Sequence, residues 1–422
     1  MIKRILPPIL LFLLWGAAPL LAASELSERI EALISRPAYA ETQWGICIYS
    51  LTHDSLIYGY EADKLFVPAS TVKLLTSAAA LDSLGPDYRF ETAFLTNGVL
   101  DSTGTLGRDL IVRGSGDPTL KNANGSGNRS GAFQQITDSL RQRGLRQIRG
   151  RIVGDARAWP RGFPCLSWEI GDLEEDWTPV TGALSLNRSD AVGDSLFVVM
   201  ETSANSSAVW SPSPTFAFLS DLRRALHQGG ISLLGHAQDN AQTNGTSTLY
   251  VHTSAPLCEI IKPMNKKSDN FCAEQFALVL GGGSSAQGLQ VVSRFLTKAG
   301  IDTRQVRLAD ASGLSRKNLL SPAIVVQLLK YMNRHPFASE YKESLAVMGT
   351  DGTLGNRYVR MPGTEVCGKT GTLDYVSALS GYLRTKTGEE IAFSLLCNNF
   401  LVSSQTIQQV QDSICTLLAK ER

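Results

Sequence analysis

The sequence predicts a mixed α/β protein of several domains, of the α+β type, and three observations carry that prediction. Three strand-like segments follow one another near the C-terminus, at residues 366–373, 376–383 and 391–396, with short polar turns between them. Such a succession is typical of neighbouring antiparallel strands. The chain has 422 residues, which is enough for two or three cores. Residues 89–253 carry strand and helix patterns of their own, so we expect one unit inserted into another.

The first 24 residues have the pattern of a secretory signal. Two basic residues, Lys3 and Arg4, precede an apolar run over residues 5–21, and small residues follow up to Ser24. We expect cleavage after Ser24, and because a serine stands where a lipoprotein needs a cysteine, we expect no lipid anchor. The rest of the chain has no apolar stretch long enough to cross a bilayer. The sequence thus predicts an exported, soluble protein, periplasmic or otherwise outside the cytoplasm, without a transmembrane anchor.

Composition argues against two classes of partner. The net charge is +1, and the one basic cluster lies at residues 262–267, so we expect no binding to nucleic acid. The seven cysteines form no C-x-x-C pair and the five histidines form no H-x-x-x-H pattern. We therefore expect neither a metal nor another cofactor. An odd number of cysteines leaves at least one thiol free, and we predict no particular disulfide.

The first candidate for chemistry is S-T-V-K at residues 70–73, at the start of an apolar helical run that extends to residue 81. Pro68 marks the helix entrance, and a serine in the first turn has a free N–H and the positive end of the helix dipole beside it. Lys73 follows Ser70 by three residues and lies on the same face. Lys73 can take the serine proton only as the neutral amine, which requires that burial beside a second cation lowers its pKa, and Lys369 is the candidate second cation. Taken alone, the tetrapeptide is more typical of a capping serine.

The second candidate is S-D-N at residues 268–270, which lies at a junction before a new helix. In a catalytic role, the hydroxyl of Ser268 would relay a proton between Lys369 and a leaving amine. The amide of Asn270 would bind a substrate carbonyl and orient Lys73. The alternative is an ordinary helix N-cap, which serine and aspartate provide routinely.

The third candidate is K-T-G at Lys369, Thr370 and Gly371, in the first of the three C-terminal strands. Glycines on both sides of Lys369 leave one face of the strand bare, so that a substrate backbone can approach and pair with it. A second K-T-G at residues 386–388 falls at the hairpin turn between the next two strands. A second S-x-x-K at residues 339–342 lies in a polar helical segment and is interpreted as a solvated face.

The spacing of the three signatures predicts how the domains are arranged. Lys73 and Ser268 are 195 residues apart, whereas Ser268 and Lys369 are 101 apart, so the additional mass lies between the first two signatures. We expect a discontinuous catalytic domain and an inserted α+β domain. Their predicted limits are residues 25–88 and 254–422 for the former and 89–253 for the latter. The inserted domain is predicted to contain strands at 92–95, 108–113, 147–153 and 248–252 and helices at 133–143 and 216–228.

The order of the three signatures is the one used by penicillin-binding proteins and class A β-lactamases. Over essentially its mature length, the chain resembles the D-alanyl-D-alanine carboxypeptidase/endopeptidase family of low-molecular-mass class C penicillin-binding proteins, peptidase family S13. The resemblance rests on the signatures and on further family-like stretches at residues 109–120, 182–187, 263–270, 310–315 and 351–354. It implies a penicillin-recognising domain with a five-stranded antiparallel sheet. It also implies a serine carboxypeptidase that acts on peptidoglycan peptides ending in D-Ala-D-Ala and is acylated by β-lactam antibiotics.

The resemblance also implies residue roles. Ser70 would attack the carbonyl of the penultimate D-alanine, and the backbone N–H groups of Ser70 and Thr372 would form the oxyanion hole. The Thr370 and Thr372 hydroxyls, beside Gly371, would hold the terminal carboxylate. Asp155 would contact the amino group of a diaminopimelate side chain, although a turn aspartate after a strand is the alternative.

Two departures from the family pattern stand out. The GDxSxF-like segment of the family appears as residues 154–159 with Arg157 and Trp159 substituted, which affects the surroundings of Asp155. The third domain that family members often carry is expected to be reduced to a loop at residues 188–214.

Two other functions would use the same signatures. A β-lactamase needs a base that activates water for deacylation, typically a glutamate near the serine, and the sequence does not place one. A catalytically silent peptidoglycan-binding protein would have no need for every proton-transfer group, yet Ser70, Lys73, Ser268, Asn270 and Lys369 are all present. The sequence therefore favours the carboxypeptidase and leaves open the balance with cross-link endopeptidase activity.

Overall fold

The structure is a computed structural model. The residues that it describes are 25–120, 131–157, 159, 167–169, 171–174, 178–186, 214–239, 245–357 and 363–421. The predicted signal peptide lies outside these residues, and so does the predicted loop at 188–214 except for its last residue.

The described residues form strands and helices in the following chain order. The strands are β1 (Gln43–Ser50), β2 (Ser55–Tyr60), β3 (Glu91–Thr96), β4 (Thr105–Leu106), β5 (Leu110–Arg113), β6 (Gln147–Ile148), β7 (Ile152–Asp155), β8 (Ser232–Leu233), β9 (Ala237–Asp239), β10 (Ser247–Thr253), β11 (Ala346–Val347), β12 (Glu365–Leu373), β13 (Val376–Arg384) and β14 (Glu390–Asn398). The helices are α1 (25–34), α2 (Val72–Leu84), α3 (Ala132–Gln142), α4 (Pro214–Gln228), α5 (Leu257–Lys266), α6 (Asn270–Leu280), α7 (Ser285–Lys298), α8 (Pro322–Asn333), α9 (Ala338–Glu343) and α10 (Ser404–Glu421).

The largest sheet is antiparallel, with strand order β11-β12-β13-β14-β1-β2. It confirms the three successive C-terminal strands, but it has six strands where the resemblance implied five. The additional strand is β11, whose two residues pair only with Gly368 and Cys367. A strand of two residues has no alternating pattern of its own, so its pairing could not be predicted. Among the described residues, no strand pairs with Lys369 or the later residues of β12 on that side.

The two faces of this sheet are covered by different helices. On one face, α1 and α10 pack against side chains such as Ile46 and Phe393, and α10 contributes the buried residues Ile407 and Ile414. On the other face, α2, α5, α6, α7 and α8 form a larger apolar core. The helix α2 is buried from Val72 to Leu81, which makes it the centre of that layer. No helix within the described ranges is long and apolar enough to span a bilayer.

The segment between α2 and α5 builds two further sheets. One has the order β10-β3-β5-β7-β9, in which β5, β7 and β9 are parallel, and the other is the short parallel sheet β4-β6-β8. The single strand predicted at 147–153 is wrong, because β6 and β7 belong to different sheets. The break falls at Gly150, where a Cβ would lie 2.3 Å from the carbonyl carbon of Arg108. A close backbone crossing of this kind requires glycine.

A glutamine of α6 connects this segment to the main helical layer. The Gln275 amide donates to the carbonyls of Gly116 and Gly182 at 2.9 and 3.0 Å, and its oxygen accepts from the Gly182 N–H at 3.0 Å. Gln275 is fully buried, so these bonds are shielded from water. They fix Gly116 and Gly182 beside the helix that begins at Asn270.

Candidate active site

Ser70 lies in a tight turn that precedes α2. The turn is a 3₁₀ helix over Ala69–Thr71, whereas the sequence predicted that Ser70 would already lie in the α-helix. Ala69 is buried and has a φ of 46°, which is uncommon for a residue other than glycine. Strained backbone of this kind persists only where the surroundings enforce it, and it is common at functional sites. The turn therefore holds Ser70 in a fixed position at the entrance of the buried helix.

Lys73 uses its ammonium group to connect three elements. Its Nζ donates to Ser70 Oγ at 3.0 Å, to Asn270 Oδ1 at 2.6 Å and to the carbonyl of Ser312 at 2.6 Å. The side chain is completely buried. Three acceptors match the three protons of a lysine ammonium. The predicted spacing between Ser70 and Lys73 thus gives direct contact between the candidate nucleophile and the candidate base.

Burial lowers the pKa of Lys73 to about 8, although the carboxylates of Asp310 and Glu274 act in the opposite direction. The pKa of Lys369 is also lowered, first by burial and second by repulsion from Lys73. Lys73 and Lys369 therefore interact electrostatically, as predicted, but the interaction lowers the pKa of Lys369. For Lys73, burial is the main cause of the lowered pKa. A lysine with a lowered pKa can accept the proton of a serine.

Two glycines allow the surrounding chain to approach Ser70 closely. A Cβ on Gly371 of β12 would lie 2.9 Å from Ser70 N, and a Cβ on Gly313 would lie 2.0 Å from the carbonyl oxygen of Ala69. Side chains at these two positions would push the turn that holds Ser70 away. The part of β12 from Lys369 onwards thus lies against Ser70 while its outer side has no partner strand among the described residues.

The K-T-G residues occupy β12 as predicted. Lys369 is fully buried and its Nζ donates to the carbonyl of Thr370 at 2.8 Å. The Thr370 hydroxyl donates to that of Thr353 at 2.7 Å, and Thr372 is exposed. Hydroxyl groups at a strand edge can bind a carboxylate, which agrees with the expected roles of Thr370 and Thr372.

The S-D-N residues combine the two roles that the sequence left open. Asp269 is the N-cap of α6, and its Oδ1 accepts from the Cys272 N–H at 3.0 Å. Asn270 is the first residue of the helix and binds Lys73. Ser268 is half-buried and has a left-handed φ of 63°. The aspartate thus caps the helix, while the asparagine contacts Lys73.

The duplicate motifs lie elsewhere. Lys386 is exposed in the turn between β13 and β14, where Gly388 has a φ of 88°. Ser339 is exposed on α9 and donates to Glu343 at 3.2 Å. Neither residue has the buried surroundings of Ser70 and Lys369, which agrees with the structural interpretations made from sequence.

Asp155 is the last residue of β7 and is bracketed by two arginines. Its Oδ2 accepts from Arg113 Nε at 3.2 Å and its Oδ1 from Arg157 Nε at 3.0 Å. Burial favours a raised pKa, but the hydrogen bonds from Arg157 and Arg113 outweigh it and hold the pKa of Asp155 below its usual value. The carboxylate is therefore ionised and already paired within this chain. Its role towards a substrate amino group stays a prediction.

Sequence reasoning missed a buried carboxyl group beside the site. Glu274 accepts from the backbone N–H groups of Ala311 and Ser312, at 3.0 and 2.8 Å, and these residues follow Asp310. The 310–315 stretch had been noted only as family-like. The signal for Glu274 was present, because it follows Asn270 by four residues and so shares its helix face.

Comparison with known proteins finds relatives along nearly the whole chain. The model of the D-Ala-D-Ala carboxypeptidase 3 (S13) family matches residues 26–192 and 191–421. A D-alanyl-D-alanine carboxypeptidase from an Actinomadura species is 29% identical over 494 residues, covering 98% of this chain and 89% of the relative. D-alanyl-D-alanine carboxypeptidase DacB from Haemophilus influenzae is 27% identical over 417 residues, covering 84% and 85% of the two chains.

A solved structure shows the same fold. The crystal structure of penicillin binding protein 4 from Haemophilus influenzae has a TM-score of 0.76 at 23% identity, covering 93% of this chain and 99% of that chain. At this identity the match concerns the fold alone. A predatory endopeptidase from Bdellovibrio bacteriovorus gives a TM-score of 0.62 at 20% identity, over 90% and 93% of the two chains.

Proposed function

This chain belongs to the D-Ala-D-Ala carboxypeptidase S13 family and is a serine-type carboxypeptidase, and from that membership and the geometry of the site we propose how it works. It is exported and removes the terminal D-alanine from peptidoglycan stem peptides that end in D-Ala-D-Ala. The reaction proceeds through an acyl-enzyme on Ser70. The catalytic domain consists of residues 25–88 and 254–422, and residues 89–253 are the inserted domain.

Acylation begins at Ser70. Its Oγ attacks the carbonyl carbon of the penultimate D-alanine, and its proton passes to neutral Lys73 Nζ, which lies 3.0 Å away. The amide bond to the terminal D-alanine breaks, and the leaving amine receives a proton from Lys369 through the Ser268 hydroxyl. The proton taken up by Lys73 replaces the one that Lys369 gives, so that Lys73 is neutral again. Water then hydrolyses the ester, and the proton that it loses restores the serine hydroxyl. The lowered pKa of Lys73 supports its role as the base.

Binding and charge stabilisation come from the turn of Ser70 and from β12. The backbone N–H groups of Ser70 and Thr372 stabilise the oxyanion, and the N–H of Ser70 lies next to Gly371. The terminal carboxylate is held by the Thr370 and Thr372 hydroxyls with the positive charge of Lys369 nearby. The substrate backbone pairs with the outer side of β12, for which the described residues provide no partner strand.

One observation carries the proposal. Buried Lys73 contacts Ser70 Oγ and Asn270 Oδ1 simultaneously, although 197 residues separate the lysine from the asparagine. A merely structural lysine would not need contact with a serine hydroxyl at a strained turn. The same geometry fits acylation by the strained amide of a β-lactam, so we propose that β-lactam antibiotics acylate Ser70.

The test compares the turnover of two substrates. The enzyme is incubated with a peptide ending in D-Ala-D-Ala and, separately, with penicillin, and the release of D-alanine and of hydrolysed penicillin is followed. We expect repeated turnover of the peptide and a long-lived penicillin adduct. Fast release of penicillin with little D-alanine would favour a β-lactamase, and binding without either product would favour a silent binder.

A further inference from the structure

Glu274 is a buried carboxyl group that the proposed reaction does not use. It lies on α6, one turn after Asn270, and is 6% exposed. A buried carboxyl group requires hydrogen-bond donors or loss of its charge. Glu274 therefore needs an account of its own.

The donors to Glu274 belong to the loop that contacts the catalytic base. Glu274 Oε1 accepts from the N–H groups of Ala311 and Ser312 at 3.0 and 2.8 Å. The carbonyls of the same two residues face α2. Ala311 O accepts from Thr76 Oγ1 at 2.7 Å, and Ser312 O accepts from Lys73 Nζ at 2.6 Å. The two peptide units thus bridge Glu274 on α6 to Lys73 and Thr76 on α2.

The rest of the loop is fixed by Asp310 and by contact with the nucleophile turn. The Asp310 carboxylate accepts from the N–H groups of Gly313 and Ser315 at 2.7 and 2.6 Å, and from Asn318 Nδ2 at 2.7 Å. Gly313 packs directly on Ala69. A shift of the loop would therefore reach both Lys73 and the turn that holds Ser70.

We propose that Glu274 is a positioning residue for acylation, which holds the 311–312 peptide units against α2 and so sets the location and the charge state of Lys73. The inference rests on the proposed function, since it assigns Glu274 a role in the acylation of Ser70. Glu274 acts through Lys73 and the loop, without contacting the substrate.

The charged and titratable groups around Lys73 determine the direction in which Glu274 shifts the pKa of Lys73. Asp310, Glu274, Asp269 and Cys272 favour its protonated form, and Lys369 is the neighbouring cation. Burial, followed by the charge of Asp310, raises the pKa of Glu274 to about 8.

Glu274 therefore keeps its proton to higher pH than an exposed glutamate, and when it loses that proton it places a negative charge in the surroundings of Lys73. The negative charge retains the proton on Lys73 and moves the rise of the acylation rate to higher pH.

The experiment measures the acylation rate with a fluorescent penicillin across the pH range in which Lys73 titrates. Glu274→Gln keeps an oxygen acceptor for the two N–H groups but removes the charge. We expect the midpoint of the rate increase to move down by roughly one pH unit. Thr76→Val breaks a hydrogen bond to the same loop without changing a charge. We expect it to reduce the rate and leave the midpoint in place.

Glu274→Ala tests the hydrogen-bonding role, because it leaves two buried N–H groups without an acceptor. We expect a loss of about 10²-fold in the limiting acylation rate, as for a misplaced catalytic group, with the glutamine variant retaining most of the activity. Thermal unfolding identifies any variant that fails to fold, and the glutamine variant then carries the test.

An unchanged midpoint in Glu274→Gln would overturn the assignment of charge control. Equal limiting rates for Glu274→Ala and Glu274→Gln would overturn the positioning role. Absence of acylation in the unmodified protein would be a different result, because it would contradict the proposed function itself.

Discussion

Replacing Gly313 by alanine should slow acylation of Ser70 by about two orders of magnitude. Gly313 has a φ of 87°, and a Cβ at this position would lie 2.0 Å from the carbonyl oxygen of Ala69 and 2.9 Å from Ser70 N. The neighbouring atoms belong to the backbone and cannot rotate away. The added methyl group must therefore push the nucleophile turn aside.

The substitution has two separate costs for stability and a third effect, on the acylation rate. The left-handed conformation costs an alanine roughly 1–2 kcal/mol. Relief of the overlap requires a shift on the order of 1 Å, and overpacking of this kind costs about 1–3 kcal/mol in stability. The same displacement between Ser70 Oγ and Lys73 Nζ, which now lie 3.0 Å apart, would cost about 10²-fold in rate.

Gly300→Ala is the matched control. Gly300 has a φ of 76°, but no heavy atom lies within 4 Å of the position that its Cβ would take. This variant shares the conformational cost without the overlap, so its acylation rate should stay near that of the unmodified protein. The assay measures acylation with a fluorescent penicillin and stability by urea unfolding. Equal acylation rates in the two folded variants would refute the claim that the Gly313 contact positions Ser70.

Three further predictions concern the residues chosen from sequence. Ser70→Ala should abolish labelling by a fluorescent penicillin and Ser339→Ala should leave it near normal; labelling of the first variant at the normal rate would contradict the choice of nucleophile. Lys369→Ala should reduce the acylation rate by about 10²-fold or more, while Lys386→Ala should be nearly silent, so equal losses would mean that the wrong K-T-G was chosen. Asp155→Asn should weaken kcat/KM for diaminopimelate-type peptides by roughly 1–3 kcal/mol and leave penicillin acylation almost unchanged. An unaltered preference for peptides with a free side-chain amine would leave Asp155 as the partner of its two arginines.

Local patterns were sufficient to predict the elements on which the site is built. The C-terminal strands, the helix after Ser70 and the helix after Ser268 were all expected where the structure has them. Each shows a clear apolar period bounded by proline, glycine or a capping residue. The duplicate K-T-G was separated from Lys369 by the same reasoning, because a hairpin turn differs from a strand interior in sequence.

Contacts between distant segments explain what the sequence did not predict. The left-handed φ of Ala69 is maintained beside Gly313 and Gly371, which are far away in the chain. The pairing of Asp155 with Arg113 follows from the parallel register of β5 and β7, where the two residues are direct partners. The bridge from Glu274 to Lys73 passes through backbone groups at residues 311–312. Apart from the helical spacing of Asn270 and Glu274, none of these relations leaves a periodic signal in the sequence.

Locating the acyl group on the unmodified protein tests directly whether Ser70 is the nucleophile. The protein is treated with penicillin and digested, and the modified peptide is sequenced by mass spectrometry. We expect one penicilloyl adduct on the hydroxyl of Ser70, the residue that Lys73 contacts at 3.0 Å. An adduct on any other serine, with Ser70 unmodified in the folded protein, would contradict this expectation.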